Sequence, residues 1–160
     1  MSAANMDYKP AGGVARAVLY SPQGDMEIDF GEERCSAVFD CEGADVVLLD
    51  DRSSFEEVTA SDAGAVSVVH TLALVASRND AAQWLAPDFM LRAAHEGLIA
   101  DLTLNDGRRL LAGCSAALGK EQPLRLVSLQ STSQHRLSQT PAVTLTLRSE
   151  DTAFACQISG

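Results

Sequence analysis

Aromatic residues are scarce in this 160-residue sequence, at 5 %. Stacking platforms for single-stranded nucleic acid need several exposed rings, and Tyr8, Tyr20 and Trp84 form no patch along the chain. Basic residues are scarce as well: 12 Lys and Arg stand against 22 Asp and Glu, a net charge of −10. Nucleic-acid affinity rests on Lys and Arg that neutralise phosphates, and anionic membranes attract basic clusters in the same way. Tight nucleic-acid binding and membrane anchoring are therefore not expected. No apolar run approaches the ~20 residues that cross a bilayer as a helix. The stretch from Met1 to Pro10 is polar and lacks the apolar core of a secretory leader.

Motifs that carry chemistry are also missing. Gly113 and Gly119-Lys120 resemble a phosphate loop, but five residues separate the glycines where the motif has four, and Glu121 stands where it needs Ser or Thr. Gly113-Cys114-Ser115 lacks the second glycine of a nucleophile elbow. The nearest nucleophile-and-base set is Cys114, Ser115 and His70, which act together only if the fold joins them. His70 is in phase with Val66, Val68 and Leu72 and reads as a core or interface histidine. His95 sits at a helix end, where the dipole favours its charged form, and His135 lies in a polar loop. No catalytic, cofactor-binding or metal-ligating residue is assigned, and a non-enzymatic protein is expected.

Four cysteines are present, Cys35, Cys41, Cys114 and Cys156. Five residues separate Cys35 from Cys41, whereas zinc ligands pair at two to four. The expectation is four reduced thiols, mostly buried; a Cys35–Cys41 disulfide stays open. Carboxylates come in pairs (Glu32-Glu33, Asp50-Asp51, Glu56-Glu57, Glu150-Asp151). Neighbours on a strand face opposite ways, so solvated charge is the plain reading. A weak divalent-cation site in residues 50–62 is the minor alternative. Residues 1–60 hold thirteen acids and four bases, a charge of −9. That imbalance serves solubility or presents an acidic face to a basic partner or another copy.

What the sequence does have is period-2 patterning. Residues 1–13 end in Pro10-Ala11-Gly12-Gly13 and read as a flexible arm; residues 14–160 read as a single β-rich domain. Val14 to Tyr20 is a strand closed by Ser21-Pro22-Gln23-Gly24. From Asp25 to Phe30, Met26, Ile28 and Phe30 alternate with acids, the pattern of a half-buried strand. Ala37-Val38-Phe39 and Ala44 to Leu49 also read as strands. Residues 50–63 read as an acidic surface loop with room for a short edge strand at Phe55 to Thr59. Ala65 to Ser77 is apolar on both faces and reads as a central strand.

One helix stands out near residues 79–96, capped by Ser77 or Asn79, restarted by Pro87 at its first position and ended by Gly97. Trp84, Leu85, Phe89 and Met90 are set to pack on the sheet. Strands at Leu98–Leu104 and Arg108–Ala112 flank the hairpin turn Asn105-Asp106-Gly107. Further strands are read at Leu124–Ser131, around Val143 to Leu147, and at Phe154 to Ile158. The class expected is β-rich α+β: an antiparallel barrel or sandwich of about eight to ten strands with one main helix.

The stretch from Phe55 to Phe154 resembles small structural proteins of bacterial prophages, of the tail-tube or head–tail connector type. The residues concerned are Phe55-Glu56-Glu57, His70-Thr71-Leu72, the run Ala100 to Arg108, the run Glu121 to Leu126, and Pro141 to Asp151. The resemblance implies a self-assembling virion subunit, homo-oligomeric as a ring, with other virion proteins as partners. It implies a place in a phage tail or tail-like particle, made in the bacterial cytoplasm. Tube lumens in that group are acidic, which agrees with the N-terminal charge. The arm (Ser2 to Gly13) and the segment Asp50 to Ala63 are the expected inter-subunit contacts. The alternative is a β-barrel module that binds a small ligand or peptide.

Overall fold

The computed structural model describes residues 13–132 and 141–159. Eleven strands and one helix follow in the order β1 (Val14–Tyr20), β2 (Met26–Phe30), β3 (Arg34–Phe39), β4 (Ala44–Asp45), β5 (Ser54–Asp62), β6 (Ala65–Ser77), α1 (Pro87–His95), β7 (Ile99–Leu104), β8 (Arg109–Ala112), β9 (Arg125–Thr132), β10 (Ala142–Asp151) and β11 (Cys156–Ile158). They form two sheets. One is a four-stranded antiparallel sheet, β9-β10-β6-β5; the other has the order β2-β3-β11-β8-β7-β1-β4 and curls into a half-barrel. The β-rich α+β class expected from the sequence is the class observed. The seven-stranded sheet is mixed, not purely antiparallel, because β11 runs parallel to β3. A three-residue C-terminal strand that returns from the far sheet has no local signal for its direction.

The core lies between the sheets. Strands β6 and β10 pair over ten positions, with Leu74 opposite Leu145 and Leu72 opposite Leu147. These four side chains are fully buried, with Val143 and Ala76 beside them. Slipping this register by one residue would turn Thr144, Thr146 and Arg148 of β10 toward the core in place of Val143, Leu145 and Leu147, so the alternation on β10 opposes it. Leu102, Leu104, Leu19 and Trp84 meet them from the half-barrel side. A second cluster, Cys35, Ile99, Leu111, Cys114 and Ile158, fills the concave side under β2 and β3. Met26, Ile28 and Phe30 pack on it while Glu27 and Asp29 face water, as the alternation predicts.

Local signals mostly end the elements where the chain says they should. Gly24 N–H donates to the Ser21 carbonyl at 3.0 Å, closing the turn after β1. The Asp106 carboxylate accepts from the Arg108 N–H at 3.0 Å in the turn between β7 and β8. The Ser77 hydroxyl accepts from Asp80 N–H at 3.2 Å and starts the turns that lead to α1. Pro87 then opens the helix proper. Gly97 ends it at φ +81°. A Cβ there would meet Pro123 Cγ at 2.6 Å and the Leu124 carbonyl oxygen at 2.9 Å, so this position needs glycine for both conformation and space.

Two segments differ from expectation. The run 44–49 is not one strand: only Ala44–Asp45 pairs, with β1. The chain then crosses to the other sheet, where Leu49 N–H donates to the Val75 carbonyl at 2.8 Å. Val46 is buried in the core while Val47 is 70 % exposed, so the apolar run marks a crossover. The short edge strand expected at Phe55 to Thr59 within a 50–63 loop is longer than read: nine residues form β5, which pairs with β6 throughout its length. Ala63 (φ 51°) and Gly64 (φ 88°) are both left-handed, which is the two-residue turn that suits a twisted hairpin. The arm expected over residues 1–13 lies outside the described residues except for Gly13, which bridges Ser54. That bridge and another between Leu98 and Leu124 join the two sheets.

Candidate functional site

The residues nearest to a nucleophilic site are not joined. His70 is buried on β6, and its Nε2 lies 2.9 Å from the Ala153 carbonyl oxygen. A carbonyl only accepts, so Nε2 carries the proton in that bond. Its Nδ1 faces Glu57 Oε2 at 3.8 Å and has no hydrogen-bond partner among the described residues. Glu57 in turn accepts from the Ala155 N–H. His70 and Glu57 thus hold the segment that leads to β11, and this is a structural duty. Cys114 is buried, and burial pushes its thiol up to about 11, away from the thiolate. The Ser115 hydroxyl accepts from Leu118 N–H at 3.0 Å. Ser115 and Gly119 exchange two backbone bonds, at 3.1 and 2.7 Å, so the glycines near Lys120 shape a small closed turn.

The paired carboxylates separate. Glu56 is exposed and Glu57 half-buried, on opposite faces of β5. Among the described residues no group of three or more His, Cys, Asp or Glu is arranged to hold a metal ion. His95 closes α1, and His135 lies outside the described residues. The four thiols are free. Cys41 lies beside Gly24 and Cys35 in the second core cluster, so Cys35 and Cys41 do not meet. The cysteines that share a cluster with Cys35 are Cys114 and Cys156, which the sequence alone does not bring close.

The four-stranded sheet ends on β5 and β9. Beyond β6, the partner of β5 among the described residues is the single Gly13–Ser54 bridge, and β9 pairs with β10 alone. At ~3.4 Å per residue, β5 offers an edge about 30 Å long. Beyond Thr59 and Val68 the β5–β6 hairpin runs past the end of β10; Val58 is 55 % and Val66 57 % exposed. Val127, on β9, is 58 % exposed. The two edges differ in charge. Glu56, Glu57 and Asp62 lie on β5 and no base does. Arg125 lies on β9 and no acid does. Arg148 stands opposite Arg125, and Arg78 donates to Ser131 at 2.6 Å at the other end.

Concave features also mark the surface of the described residues, one of about 280 Å³ beside Arg125, Val127, Arg148 and Glu150. A cavity of about 390 Å³ lies between α1 and the end of β1, over Leu19, Phe89 and Leu98 with Arg92 and Glu96 at its rim. Another of about 390 Å³ holds Glu33, Glu57 and Arg108 above Phe55 and Leu110. The space between the sheets is filled by the Leu, Val and Trp side chains of the core. No helix among the described residues is long and apolar enough to cross a membrane. No family model, curated protein or solved structure matches the chain.

Proposed function

We propose that this chain is a non-enzymatic, self-assembling structural subunit of a phage tail or tail-like particle, in the tube or a connector. Its copies join head to tail through the edges of the four-stranded sheet. One observation carries the reading. A sheet with an even number of alternating strands has edges that run in opposite directions, and here β5 carries three acids and no base while β9 carries one base, Arg125, and no acid. A second copy related by simple rotation then sets its β9 antiparallel to β5 of the first. In that pairing Asp62 meets Arg125, and Glu56 meets the end of β9 where Arg78 sits. Pairing β5 with another β5 would oppose acid to acid. The contact is heterologous, the kind that closes into rings or runs on as filaments, and it covers edges that otherwise invite uncontrolled pairing.

Magnitudes say how such a subunit behaves. The eight residues of β9 give roughly eight backbone bonds, each worth ~0.5–1.5 kcal/mol net. Bringing two bodies together costs about 4–15 kcal/mol. One interface alone is therefore marginal, and ring closure or a template completes assembly. Light scattering over a concentration series, with negative-stain imaging of the same fractions, tests this. Rings, stacks or a concentration-dependent multimer are expected, and Val58→Lys and Val127→Lys, each on an exposed edge position, are expected to abolish them. A 16.9 kDa monomer at every concentration, with both variants indistinguishable from the parent, overturns the proposal. The cavity over Phe89 favours a second reading, a module that holds a small ligand, for which its volume is sufficient. Saturable binding that Phe89→Ala removes, in a protein that stays monomeric, would favour it over assembly.

A further inference from the structure

The seven-stranded sheet depends on a weak plank. Strand β11 is three residues long. Among the described residues it alone connects β3 to β8: Gln157 and Ile158 pair with Arg34 and Cys35 on one side, and Cys156 and Gln157 pair with Leu111 and Leu110 on the other. The hairpin β2–β3 is attached to the rest of the sheet through it. Two cysteines sit across this seam. Ile158 is in register with Cys35, so Cys156, two residues earlier, lies on the same face and diagonal to it. Both belong to the second apolar cluster, Cys35 within it and Cys156 packed against it. Cys35 is 2 % exposed, whereas Cys156 is half-buried and reaches the Glu33 carbonyl oxygen at 3.9 Å near the surface. Cys114 is in the same cluster, but it is buried, 6 % exposed. Cys41 belongs to a different neighbourhood, against Gly24.

We infer that Cys35 and Cys156 form a thiol–disulfide site, open under reducing conditions and closed by low-molecular-weight disulfides, that fastens β11 to β3. The accessible Cys156 thiolate attacks one sulfur of glutathione disulfide. That S–S bond breaks, one glutathione thiolate leaves, and Cys156 carries a mixed disulfide. Cys35 then loses its proton to solvent and attacks Cys156 Sγ, expelling the second glutathione thiolate. Two protein thiols are oxidised by two electrons, and one glutathione disulfide becomes two glutathiones. Burial, with the Cys156 thiol close by, pushes Cys35 up to about 12, so the second step is slow at neutral pH and quickens as pH rises. The link spans more than 100 residues of chain, the case in which a disulfide constrains the unfolded state most. This inference stands apart from the assembly proposal and does not need it.

The test is oxidation of the full-length native protein with a glutathione disulfide and glutathione series. Three readouts follow: intact mass, peptide mapping without reduction, and thermal midpoint. Loss of two hydrogens, a Cys35–Cys156 linked peptide and a midpoint higher by roughly 5–15 °C are expected. Cys41→Ser should leave all three unchanged. Cys156→Ser, at a half-buried position that keeps the fold, should show the reduced midpoint under every condition. Replacement of Cys35 empties a buried site, so Cys156→Ser is the deciding variant. The inference is overturned if the native protein gains no internal disulfide, if the linked peptide contains Cys41 or Cys114 in place of Cys156, or if Cys156→Ser gains stability with oxidant as the parent does.

Discussion

Replacing Ser53 by alanine should unfasten the corner that positions the β5 edge. Ser53 is 4 % exposed and lies immediately before β5. Its hydroxyl accepts the Val75 N–H at 3.0 Å, and its carbonyl accepts the Val14 N–H at 3.1 Å. Strand β5 begins opposite Ala73, so Val75 has no strand on that side, and the serine hydroxyl stands in for a missing backbone carbonyl. Alanine leaves that N–H buried without a partner, which costs about 1–3 kcal/mol. In a chain of this size ~1 kcal/mol moves the thermal midpoint by about 2–4 °C. Ser53→Ala should therefore lower it by roughly 2–12 °C, with the urea m-value unchanged because the same surface is exposed on unfolding. Ser61→Ala, on the exposed part of the same strand, is the control and should stay within ~0.5 kcal/mol. Thermal and urea unfolding of the three proteins read this directly. A loss for Ser53→Ala no larger than that of Ser61→Ala refutes the argument that the hydroxyl completes the sheet corner.

Three further outcomes follow from the same geometry. Gly97→Ala should destabilise by about 2 kcal/mol or more, because alanine resists φ +81° and its methyl meets Pro123 and the Leu124 carbonyl; a midpoint equal to the parent's would contradict this. His70→Leu removes the donor to the Ala153 carbonyl and should speed proteolysis within residues 152–155 ahead of global unfolding, seen by limited digestion and mass mapping. Alkaline stability should fall for a defined reason. Cys114 and Cys35 are held up at about 11 and about 12 from an ordinary 9.0. Below pH 9 both states keep the thiol protons and nothing is lost; above it the unfolded chain ionises first, so stability declines until the folded groups titrate. Cys114→Ser should flatten that decline in a pH series of urea midpoints, and an unchanged slope would exclude the thiol as its source.

Features that depend on near neighbours in the chain were readable from it. Alternation from Met26 to Phe30 puts apolar side chains inward whatever the strand pairs with. The turns at Ser21–Gly24 and Asn105–Gly107 rest on residue types suited to their backbone. Pro87 and Gly97 bound α1 because one presets the helical φ and the other adopts the left-handed exit. Length and pattern also carried the long strand Ala65–Ser77 to its central place between β5 and β10.

Pairings between distant segments were not readable. The acidic composition of residues 50–63 suits a loop, and only its match to β6 makes it a strand; Ala63 in the turn carries no strong signal of its own. The apolar run 44–49 resembles a strand, yet its pairing partner changes after two residues, and burial of Val46 decides its path. Strand β11 is too short to declare its direction, and its parallel place beside β3 follows from where the preceding segment is held by His70 and Glu57. The same return brings Cys156 into the cluster of Cys35, though more than 100 residues separate them along the chain. The two candidate edges are likewise a property of the assembled sheet: an acidic strand and a basic strand become opposite ends of one surface only when β6 and β10 have been placed between them. Local backbone preference and side-chain period act within a few residues and are written in order along the sequence. Edges, seams and cysteine neighbours come from long-range burial, which only the tertiary structure decides.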